Sequence, residues 1–80
     1  YGLYDLGTEQ LLKYEDLPMV RALNGETFSD YRILSRNPRN PEGYILSVSG
    51  RPIRNAEATV GGITTFRDIT SMVKMEQEQI

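Results

Sequence analysis

Residues 44–70, YILSVSGRPIRNAEATVGGITTFRDIT, alternate as two strands do and then turn polar where a helix would begin. Tyr44, Leu46 and Val48 fall on one side of the first run, and Ser47, Ser49 and Arg51 on the other. That period of two marks a half-buried strand, because successive side chains point to opposite faces. Arg54–Ala58 reads as the connecting turn, and Val60–Phe66 is rich in β-branched residues with an aromatic at its end, which suits a pleated sheet. Asp68 and Thr70 each carry an oxygen able to cap a helix, with Met72, Val73, Met75 and Ile80 following at near-helical spacing. The sheet thus passes into the helix Thr70–Ile80 through a three-residue joint, Asp68-Ile69-Thr70.

Working towards the N-terminus, Asn37–Gly43 reads as a loop whose two prolines keep it out of the sheet. Thr27–Arg36 is a further strand, with Tyr31, Ile33 and Ser35 on one face and Phe28, Asp30, Arg32 and Leu34 on the other. Neither set is uniformly apolar, so either face is a candidate for burial. Three strands joined by short connections make an antiparallel meander. A helix precedes them: Asp16 or Leu17 at the cap, Pro18 in the first turn, Met19, Val20 and Leu23 on one face, and Asn24-Gly25 to end it. Tyr1–Leu6 follows no single period and does not open on methionine, which reads as a piece of a longer protein. Gly7 breaks that run, and Thr8, Glu9 and Gln10 are read as opening a helical turn that reaches Leu12.

Composition narrows the function. At 80 residues the chain is one small domain, burying about 60–65% of its unfolded surface and therefore marginal without a partner. Its 39% hydrophobic content argues for a folded chain, and a net charge of −2 with both signs dispersed provides no basic field for nucleic acid. There is no cysteine and no histidine, which removes a thiolate nucleophile, the commonest general base and the usual phosphoacceptor of a histidine kinase. No apolar run approaches the ~20 residues of a membrane span, so direct membrane insertion is not expected and the chain reads as soluble and cytoplasmic, even if its parent is membrane-anchored.

Several segments together resemble the C-terminal half of a PAS domain with the PAC-type ending of bacterial sensory proteins. They are Leu46-Ser-Val-Ser-Gly-Arg-Pro-Ile-Arg-Asn, Val60-Gly-Gly-Ile and Phe66-Arg-Asp-Ile-Thr. Pro18 to Glu26 is similar to the family's Pro-x-x-x-Ala-Leu-x-Gly-Glu segment. The resemblance runs from about Leu17 to Met75. It implies an α+β fold: a PAS-like antiparallel sheet, here a three-strand meander lacking the N-terminal strands, with a preceding helix and a C-terminal linker helix. It divides residues 1–80 into an N-terminal segment (1–16), a core (17–69) and the start of an output helix (70–80).

The resemblance also implies a non-catalytic sensor that relays ligand or dimer state through the helix to an output domain, a histidine kinase of a two-component system or a diguanylate cyclase. A sheet edge left open implies a homodimer through that edge and the C-terminal helix. Flavin-adduct members need a cysteine, and their strands present amides where this chain has Leu46, Val48 and Phe66. Haem-binding members use a histidine. Both cofactors are therefore disfavoured, and any ligand is unknown. Candidate ligand contacts are Arg32, which in relatives of another kind would take a carboxylate, and the helix-facing Leu46, Val48, Thr64 and Phe66 together with Gly62. For Arg32 the plainer account is a solvated strand charge, and for the apolar set core packing. Gly61-Gly62, lying inside a strand, reads as a bulge or close backbone approach rather than a phosphate loop. Asp68 and Thr70 are the expected signal-coupling residues, as well as a plain helix cap. Paired carboxylates such as Glu15-Asp16 have no partner base or metal spacing. The alternatives are a ligand-free structural dimerisation domain and an enzyme subunit completed by another chain.

Overall fold

The computed structural model describes residues 2–78. Tyr1, read above with the segment to Leu6, and Ile80, read above as the end of the last helix, lie outside them. In chain order the elements are β1 (Gly2–Asp5), a 3-10 turn at Tyr14–Asp16, α1 (Pro18–Leu23), β2 (Phe28–Asn37), β3 (Asn40–Asn55), β4 (Ala58–Asp68) and α2 (Thr70–Glu78). The strands form one antiparallel sheet in the order β1-β2-β3-β4, so the fold is α+β.

Local chemistry accounts for most boundaries. Leu17 caps α1 and Pro18 takes its first position, where the missing N–H has no helical partner to lose. The helix ends where the Gly25 N–H donates to the Ala22 carbonyl and the Glu26 N–H to the Arg21 carbonyl, with Gly25 at φ +94°. At the β2–β3 hairpin the Asn37 side-chain oxygen accepts the Arg39 and Asn40 N–H groups at 2.9 and 3.0 Å, closing a turn over Pro38.

Three expectations need correction. The loop Asn37–Gly43 shrinks to the Pro38-Arg39 turn, and Pro41 lies within β3; the register shift between Ser35 and Asn37 lets it sit in the strand without breaking a ladder hydrogen bond. Thr8–Leu12 is not helical. Asp5 Oδ1 accepts the Gly7 and Thr8 N–H groups at 2.8 and 3.0 Å, and the Leu12 N–H reaches the Leu3 carbonyl at 2.9 Å, so the segment folds back along β1. The sheet has a fourth strand: Gly2–Asp5 pairs with β2 from Gly2↔Arg36 to Asp5↔Ile33.

Packing uses both faces of the sheet. On the first face lie Ile33 and Val48, and α1 sets Ala22, fully buried, against it. On the second lies Leu34, and Ile69 closes over that side from the start of α2. The core is thin, and the chain exposes 5918 Å² where a compact 9.1 kDa monomer would expose about 4900 Å². Its radius of gyration is 14.4 Å, against about 12 Å for a compact domain of this length.

The β3–β4 turn places Ala56 at φ +54°, in the left-handed region. Alanine pays a steric penalty there that glycine avoids, partly offset by glycine's larger unfolded-state entropy. Ala56→Gly is expected to stabilise the chain by about 0.5 kcal/mol, read as a higher urea midpoint with an unchanged slope.

Candidate functional site: an apolar groove and a pinned helix joint

Along β3 and β4 the register sets Val48 opposite Phe66 and Gly50 opposite Thr64. Directly paired residues share a face, so the i, i+2 spacing brings Leu46, Val48, Thr64 and Phe66 together on the α1 side. With Leu3 from β1, Ile33 from β2 and Leu17, Pro18 and Met19 from the start of α1, they line a groove of about 350 Å³. Thr64 supplies the lining's one polar side chain, and no charged side chain reaches it. Phe66 forms the outer lip, 70% exposed. Gly62 lies beyond Thr64, where a Cβ would stand 3.0 Å from the Ala22 Cβ. The close approach expected for the Gly61-Gly62 pair is thus the seat of α1.

Arg32 is not part of this groove. Its partner across the ladder is Ser47, one residue out of phase with Leu46 and Val48, so it projects from the opposite face. There its Nε lies 3.4 Å from Asp30 Oδ1. Period-two alternation would have separated Arg32 from Ile33, but only the docking of α1 decides which of the two faces the groove. The expected site was also incomplete. Ile33 carried a strand signal and Met19 a helical one, but nothing local joins either to Leu46 and Val48; Leu3 carried none, because it lies in a strand too short to show a period.

The joint below the groove is built from side chains of known polarity. Asp68 Oδ1 accepts the Thr70 N–H at 2.9 Å and the Thr70 hydroxyl at 2.6 Å. These bonds hold the Asp68 carboxyl below its ordinary range, the Thr70 hydroxyl first and its amide second. Thr70 Oγ1 in turn accepts the Ile45 N–H from β3 at 2.8 Å, and the Ile69 N–H donates to the Ile45 carbonyl at 2.8 Å. The Val73 N–H then takes the Ile69 carbonyl and starts α2. Thr70 was expected as a cap and a coupling residue; its bond to the Ile45 amide, which ties the helix to the strand beside Leu46, had no sequence signal because Ile45 is 25 positions away.

The groove lining carries no imidazole, thiol or side-chain amide, so it does not fit a histidine-ligated haem or a flavin adduct. Among the described residues no group of three or more histidine, cysteine, aspartate or glutamate side chains is placed to hold a metal ion, and no buried side-chain polar atom lacks a partner. No helix among them is long and apolar enough to cross a membrane. No family model, curated protein or solved structure matches the chain.

Proposed function

We propose that the chain is a PAS-type sensory and protein-interaction module of a bacterial signal-transduction protein, on the cytoplasmic side and itself non-catalytic. It passes the state of the sheet to α2 and on to an output domain, a histidine kinase or a diguanylate cyclase. One observation carries this reading: Thr70 joins the Asp68 carboxylate to the Ile45 amide, so the strand that contributes Leu46 and Val48 to the groove also holds the first turn of α2. A ligand that shifts β3 changes the exit of the helix, by no more than its difference in affinity for the two arrangements.

A homodimer through β4 and α2 belongs to the same reading. Within β4, an edge strand, Ala58–Phe66 contains no proline, lysine or acidic residue, the protections such a strand normally carries. The exposed area exceeds that of a compact monomer by about 1000 Å², enough for the ~800 Å² that one partner of a standard interface buries.

Light scattering over a concentration series, with native mass spectrometry, gives the mass and any retained small molecule. The relay is tested with 1-anilinonaphthalene-8-sulfonate as groove probe, followed by amide exchange of residues 70–76. The expected result is probe binding that is weakened in Phe66→Glu and alters exchange in α2. Probe binding without any change in α2 rejects the relay. A dimer that binds no probe and retains no small molecule supports the ligand-free dimerisation domain instead.

A further inference from the structure

The face of the sheet opposite the groove carries a second, polar cleft of about 380 Å³. Across three neighbouring strands the register aligns Arg32 with Ser47 and Ser47 with Arg67, so two arginines flank a serine on the central strand. Strand spacing puts their backbones about 10 Å apart, within the reach of two arginine side chains converging on one group. The next row supplies Ser49 paired with Thr65.

The hydrogen bonds leave this cleft with donors to spare. Asp30 Oδ1 takes the Ser47 hydroxyl at 2.6 Å and Arg32 Nε at 3.4 Å, which leaves the terminal nitrogens of that guanidinium unengaged among the described residues. Ser49 Oγ accepts the Asp30 N–H at 3.4 Å, so its own proton remains available. Arg67 makes no ion pair among the described residues. Two guanidinium groups against one carboxylate leave the cleft with net positive charge. Ile69 and Met72 at the base of α2 form its apolar wall together with Phe66, whose ring also borders the groove.

We propose that this cleft binds a small oxyanion, a carboxylate or phosphate group of a metabolite, held by the two guanidinium groups and by the Ser49 and Thr65 hydroxyls. Planar paired N–H donors match the oxygens of either group. The site lies on the other face from the apolar groove and does not depend on the sensory reading.

The test titrates the full chain with sodium phosphate and, separately, sodium succinate, at an ionic strength held constant with sodium chloride, following amide resonances of Ser47, Ser49 and Thr65. The expected result is saturable shifts with at least one anion, weakened at least fivefold in Arg67→Gln and in Arg32→Gln. Far-ultraviolet dichroism of both variants checks that the sheet is intact; should Arg32→Gln fail that check, Thr65→Ala replaces it. A response to phosphate alone assigns a phosphoryl ligand, and one to succinate alone a carboxylate. Shifts that chloride reproduces, or an affinity unchanged in the folded variants, overturn the proposal.

Discussion

Gly62→Val is expected to destabilise the chain by about 2–3 kcal/mol, near the upper end for overpacking. A Cβ at this position would lie 3.0 Å from the Ala22 Cβ and 3.4 Å from both the Ala22 carbonyl carbon and the Leu23 nitrogen, so the obstacle is mostly helix backbone. Backbone cannot swing away as a side chain can. The two methyl groups of valine must push α1 off the sheet, and a six-residue helix does not persist without that contact. Leu17, Pro18 and Met19 move with it, so the groove opens as well. In urea the midpoint should fall by about 2–3 M, taking a slope of ~1 kcal/mol/M for a small protein. Gly61→Ala is the control: its Cβ meets only Ile53 Cδ1 at 3.6 Å, an ordinary contact, and the change should stay within about 0.5 kcal/mol. Equal effects at the two positions would refute the close seat of α1 on Gly62.

Thr70→Val is expected to cost about 1–2 kcal/mol, because the half-buried Ile45 N–H loses its acceptor and valine has nothing to offer in its place. Thr70→Ser keeps the oxygen and should retain most of the stability. Amide exchange separates the local effect from the global one: Val73, whose N–H donates to the Ile69 carbonyl, should lose protection in Thr70→Val before the centre of β3 does. If Val73 and Val48 lose protection equally, the joint is not a separable hinge.

The same joint predicts an acid response. Asp68 titrates below the ordinary 3.8 because the Thr70 hydroxyl and then the Thr70 amide bond to its charged form. Asp30, bonded first by the Ser47 hydroxyl, shifts in the same direction. A depressed native value means that the unfolded chain binds more protons, so the stabilisation is present above pH 3.8 and is lost as pH falls through the lower native value. Asp68→Asn keeps an acceptor oxygen but not the charge. It should therefore be less stable than the parent chain at pH 7, and the difference should shrink steadily below about pH 3.8. A difference that does not vary with pH would remove the charge on Asp68 from the joint.

Much of this fold was legible before its structure. The alternation Leu46-Ser-Val-Ser and the β-branched run Val60–Phe66 can bury one side only as strands, and Pro18 with Asn24-Gly25 bounds a helix by backbone chemistry that needs no neighbour. Those choices are local: a period of two, a missing N–H, a residue that tolerates positive φ. For the same reason Asp68 and Thr70 were identifiable as polar groups at a helix start.

What lay beyond reach depends on residues far apart in the chain. Gly2–Asp5 is too short to show a period, and only the edge of β2 makes it a strand. Pro41 enters β3 because the pairing shifts register beside it. Alternation put Arg32 and Ile33 on opposite faces, yet the side on which α1 docks, where it packs closely on Gly62, decides which one meets the apolar groove and which the polar cleft. Thr70 shows the same limit: its sequence neighbours make it a cap, whereas the amide that fixes the direction of the helix comes from the central strand. Local periodicity determines the elements and the parity of their side chains. The side that is covered, and what each polar group bonds, follow from which surfaces can be brought together without leaving an amide unpaired or a methyl group in the way.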